Sequence, residues 1–241
     1  MKDLFGKAIL DYYTNNFPED IITETSISEA DEMSVSYLFR TFEQMPKIEQ
    51  EALKNCKGKV LDVGCGAGSH SLYLQNEMKL DVISIDISEN AIKTCKLRGL
   101  KNARVQNILD IENEKFDTII LLMNGTGIFK TLKETSKYLQ KLKTLLYQNG
   151  QILLDSSDII YMFDKNEDES YLIPSVGYYG ELTFQLTYKK QKEEIFRWLY
   201  LDYNTLQNVA NANELQSQII LEGEHFDYLA KLYQKFSKKN Q

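Results

Sequence analysis

The stretch Val60–His70, VLDVGCGAGSH, constrains the fold more than any other part of the chain. A short apolar run (Val60, Leu61, Val63) leads into three alternating glycines, Gly64, Gly66 and Gly68, with Asp62 just ahead of them. Ser69 to Gln75 then reads as the start of a helix. A strand that turns through glycines into a helix N-terminus suits a nucleotide-like ligand, because backbone N–H groups point at it and the helix dipole favours negative charge. Glycine supplies positive φ without steric cost, and its missing Cβ lets a ligand approach the backbone. A dinucleotide fingerprint, G-x-G-x-x-G, would need glycine where Ser69 stands. The pattern here is D-x-G-x-G-x-G, so an NAD-dependent oxidoreductase is disfavoured.

At 241 residues the chain suits one α/β domain with a sizeable core, and two full domains are not expected. The formal net charge of −7 repels a phosphate backbone, and no basic patch of useful size offsets it. Lys141 and Lys143 sit on an expected helix, and Lys235, Lys238 and Lys239 make only a short basic tail. A nucleic-acid substrate is therefore not expected. Cys56, Cys65 and Cys95 have no metal-ligand spacing and read as reduced thiols of a cytosolic protein. No metal is expected. The opening MKDLFGKAILDYY carries acids and lacks a long apolar core, so it does not read as a signal peptide. No apolar run approaches ~18 residues, so no membrane span is expected.

The loop resembles the first motif of the class I S-adenosylmethionine-dependent methyltransferases, and the resemblance extends over about residues 55 to 233. It implies a Rossmann-like sheet of seven strands, mostly parallel with one antiparallel strand. It also implies that Gly64, Gly66 and Gly68 pass under the methionine part of the cofactor, with Asp62 close to its amino group. Leu80 to Ile85 is a second buried strand closed by Asp86, roughly 20 residues past the loop, where a carboxylate can accept both ribose hydroxyls. Ser88 reads as the N-cap of the helix that follows and Gly99 as its stop. At the end of the third strand, Ala103 to Ile108, the family places a group that hydrogen-bonds the adenine. Asn107 with the Ile108 N–H matches that place, and Asp110 is the alternative. Arg40 can pair with the cofactor carboxylate. Cys65, His70, Ile87 and Met123 adjoin these positions and are counted with them in the cofactor site.

Phe116 to Met123 is a fourth strand ending in Asn124-Gly125-Thr126-Gly127, at the crevice where strand order should reverse and ligands bind. Methyl group and acceptor should meet close to Asn124, which is also a cofactor contact. The Pro-Pro-Tyr that follows such a residue in base- and glutamine-modifying enzymes is missing, as is the Pro-Cys of cytosine methylation. The resemblance implies no fixed catalytic residue. Asn124 and His225 are the two candidates, His225 because its turn should emerge on the crevice side with Glu222 and Glu224 beside it. Tyr12, Tyr13, Tyr37 and Tyr178 are expected to line the pocket.

The expected organisation is a helical N-terminal extension (1–59), a cofactor-binding core (60–160), an inserted β-hairpin (171–203) and a C-terminal helix with a strand pair (204–241). In the extension, Leu4, Ala8, Ile9 and Tyr12 recur at helical spacing, and Ser34–Phe42 and Lys47–Asn55 read as further helices. Asn149-Gly150 reads as a turn into a fifth strand, Gln151–Asp155, with Ser156, Ser157 and Asp158 beyond it. The hairpin is expected over the acceptor site or at a homodimer surface. The expected function is methyl transfer from S-adenosyl-L-methionine to a small-molecule acceptor in the cytosol; the alternative is a catalytically silent S-adenosylmethionine-binding or methyltransferase-like partner protein.

Overall fold

The computed structural model describes residues 2–234, so the basic tail Lys235, Lys238 and Lys239 lies outside the described residues. In chain order the extension gives α1 (Leu4–Thr14), β1 (Ile21–Thr25), β2 (Asp31–Met33) and α2 (Lys47–Lys54). The core follows with β3 (Lys59–Val63), α3 (Ser69–Asn76), β4 (Asp81–Asp86), α4 (Glu89–Leu97), β5 (Ala103–Val105), β6 (Phe116–Leu121), α5 (Leu132–Thr144) and β7 (Leu146–Ser157). Then come β8 (Glu181–Tyr188), β9 (Gln191–Lys192), β10 (Phe196–Leu199), α6 (Tyr203–Ala212), β11 (Leu215–Glu222) and β12 (Asp227–Gln234). No helix among the described residues is long and apolar enough to cross a membrane.

The main sheet has seven strands in the order β11-β12-β7-β6-β3-β4-β5. The four pairings between β5 and β7 are parallel, and β12 runs antiparallel to both its neighbours. The central strands are buried on both faces, which is why they read as continuous apolar runs rather than alternating ones. Leu61, Ile83, Ile119 and Ile152 pack on one face with α5 and α6, and Val60, Val82, Ile120 and Leu153 on the other with α2 and α3. All C-terminal tips of the parallel strands therefore open on one edge, and strand order reverses between β3 and β6 as in other open α/β sheets.

Three features differ from the sequence reading. The extension is not helical throughout: β1 and β2 are strands, and Ser34–Phe42 is a pair of 3₁₀ turns, Val35–Phe39 and Phe42–Gln44, broken at Arg40 (ψ 144°). β1 earns its conformation from a partner far along the chain, β8, against which it pairs antiparallel from Ile22↔Thr187 to Thr25↔Phe184. Local periodicity carries no trace of such a non-local pairing. The hairpin is consequently not a free insertion but half of a second sheet, in the order β10-β8-β1-β2 with β9 beside β8. Finally, Asn149-Gly150 makes no turn before the fifth strand. It lies in a bulge within β7, where Tyr147–Gly150 stands opposite the single residue Asp117.

The small sheet is fastened to the core at both ends. Glu193 accepts from the Lys2 and Leu4 N–H groups at 2.7 and 3.0 Å and so caps α1, while Asp11 on α1 accepts from Tyr188 Oη (3.1 Å) and Lys189 Nζ (2.8 Å). At the other end Leu199 O accepts from Thr126 Oγ1 (2.9 Å) and Asn124 Nδ2 (3.3 Å), so β10 lies on the turn that follows β6. Gly127 permits this docking: a Cβ there would come within 1.9 Å of the Trp198 ring. Gly127→Ala should cost about 1–3 kcal/mol by overpacking. Trp198 is the one tryptophan of the chain, so its emission should shift to the red with the loss of stability. Unchanged emission and an unchanged denaturation midpoint would show that β10 is not held here.

Candidate active site

The glycine loop has the conformation its sequence demands. Gly64, Gly66 and Gly68 all have positive φ (74°, 52° and 82°), and Gly68 ends in the first turn of α3. The Gly64 and Cys65 N–H groups donate to Ile85 O at 2.9 and 3.1 Å, which hangs the loop on β4. A Cβ on Gly66 would meet nothing within 4 Å, so the loop is open on that side to a ligand. Cys65 is buried on the other side, its Sγ 3.8 Å from that of Cys95.

Asp86 closes β4 and holds the loop from beside it. Its Oδ2 accepts from the Gly66 N–H at 3.0 Å and its Oδ1 from the Ser88 N–H at 2.9 Å. Ser88 caps α4 as its sequence position predicts, accepting from the Ala91 N–H at 2.9 Å. Burial pushes the Asp86 pKa up, against the pull of those two backbone donors. A carboxylate has about four lone-pair sites, so two remain for a pair of ribose hydroxyls. Ile87 stands next to it, 58% exposed, as an apolar surface beside the strand tip. Asp62 lies deeper, 2% exposed, and its Oδ2 accepts from Ser71 Oγ at 2.6 Å. Ser71 Oγ in turn accepts from Ser84 Oγ at 2.7 Å. The Asp62 charge is thus held behind the loop rather than on its open side, and burial raises its pKa.

Asn107 is exposed at the end of β5, and its Oδ1 accepts from the Leu109 N–H at 2.9 Å, capping the short turn Ile108–Asp110. Ile108 is buried under the sheet edge. Met123 and Asn124, at the tip of β6, both have positive φ (65° and 59°). Two consecutive side-chain-bearing residues in this region mark stored strain of the kind found at ligand sites. Met123 packs against Ile9, Leu38, Ala67 and Ala91. Both ends of the Asn124 amide are engaged: Oδ1 accepts from Ser156 Oγ at 3.0 Å, and Nδ2 donates to Leu199 O. His225 is exposed in the β11–β12 turn, at the far edge of the sheet, and its N–H donates to Asp227 Oδ1 at 3.1 Å. The candidates at Asn124 and His225 are therefore not brought together.

Arg40 is held within the extension and is linked to the core through Glu49. Its Nη2 donates to Glu49 Oε1 and Oε2 at 2.6 and 2.7 Å, its Nη1 donates to Tyr37 O at 2.5 Å, and its guanidinium stacks on the Tyr37 ring. Glu49 Oε2 is also 2.6 Å from His70 Nε2. This arrangement joins the extension, from its 3₁₀ turn and α2, to α3 through buried charges. Burial would raise the Glu49 pKa, but the His70 and Arg40 partners outweigh it and hold the carboxyl low. For His70, burial lowers the pKa and the Glu49 hydrogen bond and charge more than restore it, so the net shift is upward. The Arg40 side chain is 8% exposed, and its Nε has no hydrogen-bond partner among the described residues. A buried guanidinium N–H without an acceptor is costly, and the carboxylate of a bound amino-acid moiety would satisfy it.

Glu49 escaped the sequence reading, although a carboxylate on the same helical face as Ala52 and Leu53 is a visible signal of a buried charge partner. Asp155 was legible only as one of four polar residues, Asp155–Asp158, at the end of β7. The structure singles it out at the tip of that strand, where its Oδ1 accepts from the Gly125 N–H at 3.0 Å.

A parallel sheet of this strand order, with an acid–glycine loop after its first strand and a carboxylate at the tip of the next, defines a Rossmann-like methyltransferase. A family model described as a methyltransferase domain matches residues 54–200. A solved S-adenosylmethionine-dependent methyltransferase from Bacteroides fragilis, in complex with S-adenosyl-L-homocysteine, is 42% identical. It aligns over 98% of this chain and 96% of its own with a TM-score of 0.90. The DesVI protein of Streptomyces venezuelae shares the fold at 15% identity, with a TM-score of 0.58 over 83% of this chain and 96% of its own. A ribosomal protein L11 methyltransferase of Acetivibrio thermocellus is 34% identical over 89 residues, and the match spans 34% of this chain and only 28% of that protein. The chain belongs to the methyltransferase-domain family and is an S-adenosylmethionine-dependent methyltransferase.

Two outcomes follow from the geometry. Asp86→Ala and Gly66→Val should each abolish the micromolar binding of S-adenosylmethionine expected of wild type, Gly66→Val because a β-branched residue is strained at that φ. Calorimetry showing unchanged affinity in both would refute the site. Glu49→Gln should cost ~3–5 kcal/mol, since it leaves a buried guanidinium without its anion. The raised pKa of His70 makes its pairing fully stabilising below its ordinary value of 6.5 and lost as pH rises through the folded value. The lowered pKa of Glu49 makes its pairing stabilising above 4.5 and lost as pH falls through the folded value. The gap in Tm between wild type and Glu49→Gln should therefore be widest between pH 4.5 and 6.5 and narrow on either side. A gap that does not vary with pH would contradict the pairing.

Proposed function

We propose that the chain methylates a small-molecule acceptor in the cytosol, at the tips of β6 and β7. The observation that supports it is the cover over those tips. β10 is bonded to Asn124 and Thr126 at the β6 tip, and Tyr37, stacked on Arg40, lies near enough to Asp155 at the β7 tip to feel its charge. A site roofed by its own chain suits a small acceptor better than a polymer, and the formal charge of −7 is unfavourable for nucleic acid. No role for a membrane enters this reading. The cytosolic setting is supported by three buried free thiols, Cys56, Cys65 and Cys95. β10 is also an edge of the small sheet, which is where a homodimer contact through the hairpin would form.

In this reading Asp86 accepts the ribose hydroxyls, and the Ile87 side chain covers the sugar's apolar side. Asn107 and the Ile108 N–H take the adenine edge. Gly64, Cys65, Gly66 and Gly68 carry the methionine part, with the Asp62 charge behind them favouring its ammonium. Arg40, aligned by Glu49 and His70, takes its carboxylate through Nε. Met123 and Asn124 border the sulfur. The donor brings a methyl group already activated on a positively charged sulfur, so the protein's task is to position and to exclude water.

The Arg40 assignment has a direct test. Arg40→Ala should weaken binding of S-adenosylhomocysteine by about 10–100-fold, the range for loss of one charge-assisted contact. It should leave 5′-methylthioadenosine, which lacks the amino-acid group, unaffected. Equal losses for both ligands would mean that Arg40 supports the fold and not the carboxylate.

A further inference from the structure

We propose that Asp155 is the acceptor-side carboxylate and that the acceptor is an amine, received as its ammonium and stripped of a proton by Asp155 before transfer. The proposal rests on the methyl-transfer reading above and names its substrate class.

Asp155 stands at the tip of β7, beside the strained Met123–Asn124 tip of β6. Its Oδ1 is fixed by the Gly125 N–H, and among the described residues no side chain donates a hydrogen bond to the carboxylate. It is held in place and left with lone pairs to spare. The titratable groups near enough to act on its charge lie on five other elements: Glu49 on α2, His70 on α3, Tyr37 in the first 3₁₀ turn, Tyr200 just beyond β10 and Tyr228 on β12. Only His70 carries positive charge, and it is bonded to Glu49. The phenols stay neutral: burial raises the Tyr37 pKa and pushes that of Tyr200 up to about 12. Burial likewise pushes Asp155 up to about 6, so it is ionised at neutral pH but readily protonated.

A half-buried carboxylate with no cation bonded to it, near another acid and three phenols, selects for a cation. An ammonium would gain a charge pair with Asp155. An anionic acceptor would be repelled, and a neutral alcohol would leave the charge uncompensated. The step balances simply. The ammonium gives a proton to Asp155, and the freed lone pair forms the N–C bond as the donor's S–C bond breaks with its electron pair left on sulfur. The products are the methylated ammonium and S-adenosylhomocysteine, and Asp155 returns its proton to water.

The test needs no acceptor. Sinefungin carries an ammonium on carbon where the donor has its methyl on sulfur, so it puts a positive charge where the acceptor nitrogen approaches. By calorimetry, wild type should bind sinefungin at least about ten-fold more tightly than S-adenosylhomocysteine, the scale of one charge-assisted hydrogen bond. Asp155→Asn keeps an acceptor for Gly125. It should bind S-adenosylhomocysteine as wild type does while losing the preference. In wild type the preference should be full above about pH 6 and fade below it, as Asp155 takes up a proton. The ratio to S-adenosylhomocysteine cancels any effect of pH on the Arg40–Glu49–His70 group. A preference that survives in Asp155→Asn, or that is absent or flat with pH in wild type, overturns the proposal. Failure of wild type to bind S-adenosylhomocysteine at all would instead overturn the reading on which it rests.

Discussion

The buried contact of Arg40 and His70 with a single carboxylate, Glu49, is the interaction on which the rest of the site depends. It spans 2.6–2.7 Å at each hydrogen bond to the carboxylate and joins the turn at Arg40, α2 and α3. Burying charges costs several kcal/mol per ion, and only close pairing with further hydrogen bonds repays it. Arg40 is repaid at Nη1 and Nη2 but not at Nε. The extension is thus tied to the core by a charge that still lacks one acceptor, and that deficit lies at the edge where the glycine loop opens.

The small sheet extends the same logic across the rest of that edge. α1, capped by Glu193 and bonded through Asp11 to Tyr188 and Lys189, fixes the hairpin at one end, and the β6 turn fixes it at the other. Residues near the start of the chain and residues near 190 therefore meet over strand tips supplied by the middle. Flanking segments that lie over the strand tips withdraw a carboxylate such as Asp155 from solvent and push its pKa up to about 6.

Much of this was legible in the residues. The D-x-G-x-G-x-G loop specified its own conformation, because only glycine holds three positive φ values so close together at no cost. Asp86 and the Ser88 cap followed from spacing, and the single antiparallel strand β12 followed from the resemblance. What was not legible is non-local. β1 has no helical or turn signal that names β8 as its partner, and the bulge in β7 looks in sequence like an ordinary Asn-Gly turn. In the site, Arg40 was visible as a residue, but its dependence on Glu49 and His70 required the packing of α2 against α3. Asp155 was one polar residue among four until the fold put Gly125 beside it.

The most direct measurement is a crystal structure of the S-adenosylhomocysteine complex. The account predicts the ribose hydroxyls on Asp86, the ligand carboxylate on Arg40 Nε, and the sulfur bordered by Asn124 with Asp155 on its far side. A ligand bound away from the tips of β3 and β4, or one whose carboxylate leaves Arg40 Nε without a partner, would contradict it.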